Sequence, residues 1–137
     1  MQARHLFKAK RKDNGEWVFG GLSYCDETNA YFITNMGKDH ISYIGFQQEV
    51  DSNTICQCTG LEDKNGKLIW ENDIMVAHID DSFPEDATYT RVVWNNNGFC
   101  TKEQGSEDIL PLDKFEQEYF EVCGNLFDNP ELLEVGE

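Results

Sequence analysis

Apolar and polar residues alternate over short stretches of this chain: LFKAKRKDNGEWVF, AYFITN, KLIWENDIMVAHI, TYTRVVW and FEVCGNLF. A period of two is that of a strand with one buried face. No useful length repeats apolar residues at the helical spacing of three and four, and the reading is therefore mainly β. YFITN and HISYIGF, joined by Met36-Gly37-Lys38-Asp39, read as a further hairpin or as two short strands.

Asn-Gly occurs three times between strand-like segments, in KDNGE, DKNGK and NNNGF, and each occurrence is a hairpin signal. A two-residue loop would set Asp13 against Glu16 and Lys64 against Lys67, and like charges directly across a ladder are destabilising. Three-residue loops remove both conflicts. They predict Arg11 opposite Trp17 and Ala9 opposite Phe19 in the first hairpin. They also predict Asp63 opposite Lys67 and Leu61 opposite Ile69 in the second, and Trp94 opposite Cys100 in the third. Gly15, Gly66 and Gly98 would then be left-handed. Phe7, Ala9, Trp17 and Phe19 would share the buried face, with the Arg11 guanidinium laid on the Trp17 ring for roughly 0.5–1 kcal/mol.

Glu71-Asn72-Asp73 falls between two apolar runs, so the chain must bend there while keeping strand character. Asn tolerates positive φ and Asp bonds downstream amides, which marks Asn72 as a structural corner beside the three glycines. HIDDSFPEDAT reads as a surface loop, and it lacks the acidic spacing of a calcium loop. At the end of the chain, Phe120–Phe127 reads as a strand. Asn129 then caps a short helix with Pro130 in its first turn and Gly136 beyond its end.

At 137 residues the chain has room for one core. The expected layout is a hairpin-rich β region over 1–58 and a small barrel-like β region with a short terminal helix over 59–137, the two possibly one domain. The net charge of −15 argues against binding nucleic acid, which runs on Lys and Arg neutralising phosphates, and against anionic membranes. The charge is uneven: Arg4, Lys8, Lys10, Arg11 and Lys12 cluster near the start, which makes contact between copies electrostatically plausible. No run is long enough to span a membrane, and no apolar stretch follows the basic opening as in a secretion signal. Five cysteines without zinc spacing point to a reducing cytoplasm, with Cys56 and Cys58 as small buried side chains. No cofactor is implied.

HLFKAKRKDNGEWVFGGL, VDSNTICQCTGLEDKNGKLIWENDIM and FEVCGNLFDNPELLE together resemble the YopX family of phage and prophage proteins. That family's core pattern is T-G-L-x-D-K-N-G-x-x-I-x-E-G-D-I. Asn72 stands where the pattern has Gly, as a positive-φ corner allows. Cys56 and Cys58 replace a Gly and an aromatic. The resemblance implies a mostly β fold, carriage on a phage or prophage in a bacterial cytoplasm, and self-association. It implies no activity, so no catalytic residue is carried over.

Three functions follow as expectations. The first is a non-enzymatic accessory protein that binds a host or phage protein or assembles with itself, using Lys8, Lys10, Arg11 and Trp17 of the first hairpin and exposed strand edges. The second is a DNA mimic that inhibits a nucleic-acid enzyme of the host through rows of carboxylates. The third is a small hydrolase or metal-dependent enzyme, for which Asp63, Glu71, Asp73 and His78 form the one local cluster of suitable groups.

Overall fold

The structure is a computed structural model that describes residues 5–35, 47–78, 87–96 and 98–133. The chain divides into two compact units, residues 1–58 and 59–137, and β-strands dominate both. The segment 36–46, most of the predicted acidic loop (79–86) and Gly136 lie outside the described residues.

In the first unit, β1 (Phe7–Lys10), β2 (Trp17–Cys25), β3 (Ala30–Asn35) and β4 (Gln47–Val50) form antiparallel neighbours in the order β4-β3-β2-β1, with the start of β5 (Cys56–Glu62) beside β1. Ala9, Val18, Ile33 and Val50 form its core, against which Phe7, Leu22, Tyr31 and Ile55 pack. The outer strand β4 returns to the end of β1: Arg11 bridges Val50, Lys12 donates its N–H to the Glu49 carbonyl at 3.1 Å, and Asp51 donates to the Lys10 carbonyl at 2.8 Å. The sheet edges touch at this bridge without closing into a barrel.

In the second unit, β5 runs on beside β6 (Leu68–Trp70). A five-stranded antiparallel sheet has the order β10-β9-β8-β7-β11, from β7 (Asp73–His78), β8 (Ala87–Asn95), β9 (Gly98–Glu103), β10 (Ile109–Pro111) and β11 (Glu121–Asn125). This sheet is open, not a barrel. Its core is Ile69, Met75, Val92, Leu112 and Phe120. Two clusters therefore replace the single core expected from chain length, because each unit seals its own sheet face.

The hairpins divide by what closes them. In the second, Asp63 N–H donates to the Lys67 carbonyl at 2.8 Å and Gly66 N–H to the Asp63 carbonyl at 3.0 Å, with Gly66 at φ 83°. This is the expected three-residue loop. The first differs by one position. Lys10 faces Trp17, Ala9 faces Val18 and Lys8 faces Phe19, and Arg11 N–H donates to the Glu16 carbonyl at 2.8 Å across a four-residue loop that keeps Gly15 at φ 75°. Arg11 and Glu16 are opposite charges, so this register avoids like-charge pairing as well as the expected one does. A one-residue slip exchanges the faces. Val18 is thereby buried with Ala9, while Phe19 stays 45% exposed.

The third hairpin is shorter than expected: Asn95 pairs with Gly98 and Trp94 with Phe99, not Cys100. No charges flank this turn, so nothing disfavours a two-residue connection. Asn96 takes the left-handed conformation at φ 58°, while Gly98 begins β9 with ordinary backbone angles.

The tail holds two corrections. Pro130–Leu133 is a 3-10 turn rather than an α-helix, closed by Leu132 N–H on the Asn129 carbonyl at 3.1 Å. The Asn129 side chain caps nothing there; its Oδ1 accepts the Asn125 N–H at 3.2 Å. The α-helix occurs earlier, as α1 (Lys114–Tyr119). Asp113 caps it by accepting the Phe115 N–H at 3.0 Å, and the Glu116 carboxylate answers by accepting the Asp113 N–H at 2.9 Å. Six residues are too few for a helical stripe to show in the sequence.

Gly124 sits at a register shift between β11 and β7. A Cβ there would lie 2.6 Å from Asn129 Oδ1 and 2.9 Å from Asn129 Cβ. Gly124→Ala is expected to destabilise the protein by about 1–3 kcal/mol in urea unfolding, as overpacking does. At Gly98 a Cβ meets nothing within 4 Å, so Gly98→Ala should change stability by less than about 1 kcal/mol.

Candidate functional site

The acidic corner is a set of backbone clamps. Asp63 is 6% exposed, and its carboxylate accepts three N–H groups: Asn65 at 2.8 Å and Lys67 at 2.9 Å on Oδ1, and Val122 at 2.8 Å on Oδ2. Asp73, also buried, accepts the Trp70 N–H at 2.8 Å. Asn72 has φ 70°; its N–H reaches the Val92 carbonyl at 2.8 Å and its carbonyl accepts the Leu126 N–H at 2.9 Å. Glu71 is half-buried, and His78 is exposed at the far end of β7. Two of the four candidate side chains therefore hold backbone amides. Among the described residues no group of three or more His, Cys, Asp or Glu is placed to hold a metal ion.

In the first hairpin, the four-residue loop puts Trp17 on the same side as Lys8 and Lys10. Their ammonium groups lie 4.7 and 5.4 Å from the Trp17 ring centroid, within the range of cation–π attraction. Arg11 takes no part in this and pairs with Asp13 at 2.6 Å. Lys8 is largely buried by the arrangement. Cys56 and Cys58 are buried, and among the described residues the five cysteines form no disulfide.

A different place gathers more unsatisfied surface. Cross-strand register puts Met75, Ala77, Thr88, Thr90, Val92, Glu103, Thr101 and Leu110 on one face of the five-stranded sheet. Met75 and Val92 are sealed into the core, but the other end of this face, with α1 above it, borders a groove of about 280 Å³. Its walls are Ala77, Leu110, Phe115 and Phe120, with Thr88, Thr90 and Thr101 on the sheet side and Glu103 and Glu116 also lining it. Thr101 donates its hydroxyl to the Leu110 carbonyl at 3.4 Å. Thr90 is 3% exposed, and its hydroxyl has no hydrogen-bond partner. Around the rim, Leu110, Phe115 and Tyr119 are more than half exposed; the Phe115 and Tyr119 rings lie 4.9 Å apart.

The family model described as YopX protein matches residues 6–134. The chain belongs to the YopX family. Its fold is similar to the crystal structure of protein EF1440 from Enterococcus faecalis, with a TM-score of 0.56 and 23% identity over 93% of this chain and 96% of that one. No curated protein matches the chain.

The YopX match spans the acidic corner, both basic-hairpin strands and every residue of the groove. The groove did not stand out in the sequence, although TYTRVVW carries a signal for it. Thr88 and Thr90 are in phase with the buried Val92, so two hydroxyls occupy positions where a sealed sheet face would place aliphatic side chains. The D-x-x-E of Asp113–Glu116 is likewise a capping-box signature ahead of α1.

Burial raises the Glu116 carboxyl above its ordinary value of 4.5, since desolvation disfavours the charged form. Between 4.5 and the raised folded value, the native state binds more protons than the unfolded chain. Stability from this group is therefore greatest at low pH and falls as pH rises through that window. Glu116→Gln keeps the capping box and removes the titration, so urea unfolding across that window should show a shallower fall with pH in the variant than in the parent.

Proposed function

We propose that this YopX protein is a non-enzymatic accessory protein of a phage or prophage, acting in the bacterial cytoplasm by binding protein, its own copies included. The observation that carries this reading is the apolar rim of the groove. Leu110, Phe115 and Tyr119 come from an edge strand and a six-residue helix, and all three are exposed. A contiguous exposed apolar patch is costly in water and marks surfaces that meet a partner.

The position of β10 supports the same reading. It is three residues long, exposed throughout, and an outer strand of its sheet. Outer strands offer unpaired backbone groups to an incoming strand, and Pro111 blunts this one without covering it. The roles of Asp63 and Asp73 support binding over catalysis, because a carboxylate that accepts buried backbone N–H groups is poorly placed to exchange protons with a substrate.

Size-exclusion chromatography with light scattering tests the self-assembly arm. The parent protein should run above monomer mass at high micromolar concentration, and Leu110→Lys combined with Phe115→Glu should return it to monomer mass. A parent that stays monomeric at that concentration overturns self-assembly.

A further inference from the structure

We propose that a pocket beside Arg91 and Lys102, on the face of the five-stranded sheet opposite the groove, binds a phosphate group, either as the free ion or at the end of a small molecule. This goes beyond the protein-binding role and does not depend on it.

Two cations stand directly across a ladder there. Register pairs Ile74 with Arg91, Arg91 with Lys102 and Lys102 with Ile109, a row on the face turned away from Thr90 and Glu103. Like charges in that relation destabilise a sheet. The surroundings sharpen the contradiction, because residues 59–137 contain nineteen Asp and Glu against five basic residues, Lys64, Lys67, Arg91, Lys102 and Lys114. Lys64 pairs with Glu121, and Lys67 and Lys114 are exposed to water. Arg91 and Lys102 are half-buried, and among the described residues neither is in an ion pair. A carboxylate is the simplest partner for a half-buried cation, and this unit is rich in carboxylates that are not used for it.

The two side chains border a pocket of about 120 Å³ whose other walls are Glu103, Gln104, Gly105 and Leu133. Backbone geometry fixes those walls. Ser106 N–H donates to the Glu103 carbonyl at 3.0 Å across a turn with Gly105 at φ 82°. Gln104 Nε2 donates to the Leu133 carbonyl at 3.0 Å, so its amide is engaged in holding the wall. Glu103 shares a face with Thr90 by register, which leaves the row of Arg91 and Lys102 with two positive charges and no negative one. Arg91 Nε is covered; the terminal guanidinium nitrogens are the ones a ligand would meet.

Volume and charge select the ligand. Liquid water takes about 30 Å³ per molecule, so a pocket of about 120 Å³ has room for one tetrahedral oxyanion, whereas drug-sized ligands use roughly 300–1,000 Å³. Arginine offers a planar fork that meets phosphate oxygens in pairs, and lysine adds a point charge. Together they match a dianion, where a carboxylate would balance only one of them. In a chain of net charge −15 the long-range field repels anions, so occupancy must come from these short-range contacts.

The test is a ¹H–¹⁵N NMR titration of the full chain, at constant ionic strength, with inorganic phosphate, phenyl phosphate, acetate and chloride. Phosphate should shift the amides of Arg91, Lys102, Gln104, Gly105 and Leu133 saturably. Acetate should bind more weakly, on the order of tenfold, the worth of one charge-assisted hydrogen bond, and chloride should shift none of them. Phenyl phosphate bound as tightly as inorganic phosphate assigns the pocket to a phosphate group on a larger molecule, and exclusion of the ester assigns it to the free ion. Arg91→Met and Lys102→Met should each weaken phosphate on the order of tenfold. Arg91→Lys, which keeps the charge without the fork, should fall between the parent and Arg91→Met. Lys102→Met also removes a like-charge pair, so without phosphate its Tm should be no lower than the parent's, while added phosphate should raise the parent's Tm more than the variant's. Because Lys102 faces away from the groove, Lys102→Met should leave the light-scattering mass as it is, which separates this site from self-assembly. No saturable shift in the parent, acetate bound as tightly as phosphate, phosphate affinity unchanged in Lys102→Met, or binding that appears only once Glu134 and Glu137 are changed to Gln would each overturn the proposal.

Discussion

The second unit is organised around one buried anion. The Asp63 carboxylate satisfies two amides of its own hairpin turn and, through Val122, an amide 59 positions along the chain. Charge-assisted hydrogen bonds of this kind are among the stronger ones available to a protein, and removing the carboxylate would leave three backbone donors to find other partners. The same junction is reinforced by the Lys64 N–H on the Phe120 carbonyl at 3.0 Å. The Lys64–Glu121 ion pair at 3.7 Å adds little, because both side chains are more than a third exposed. The turn residues of one hairpin thus fix where the last strand begins, and with it the end of α1 and the position of Phe120 over the core.

The corner that follows has a related purpose. Asn72 turns the chain from β6 into β7, two strands in different sheets, and holds both Val92 and Leu126 through its own backbone. Positive φ at this point is tolerated by Asn at modest cost. Asp73 accepts the Trp70 N–H across the bend. Asp63 and Asp73, two of the carboxylates in the acidic corner, thus each hold backbone amides across a turn.

The chain was legible where local chemistry has only one good solution. The DKNGK turn has like charges at the two-residue register and a glycine ready for the left-handed position, and its structure follows from those facts. In KDNGE the same rule left two registers open, since Arg11–Glu16 and Lys12–Glu16 both pair opposite charges. The choice was made by packing Val18 on Ala9 and by the return of β4 to Arg11, which is information from distant residues. NNNGF has no charge at all, so the charge argument had nothing to act on there. The six residues of α1 were invisible to periodicity, and only the Asp113–Glu116 box announced them.

The groove shows why a sealed core was the wrong expectation for this part of the sheet. A six-residue helix spans about 9 Å at 1.5 Å per residue, while the sheet beneath it is five strands wide, roughly 19 Å at about 4.8 Å between neighbours. One short helix cannot cover such a face. Met75 and Val92 fill the core end of this face, and threonines follow towards the groove. Half-buried Thr88 is the compromise expected of a strand that must keep β-propensity beside water. The mismatch between helix length and sheet width explains why a groove exists.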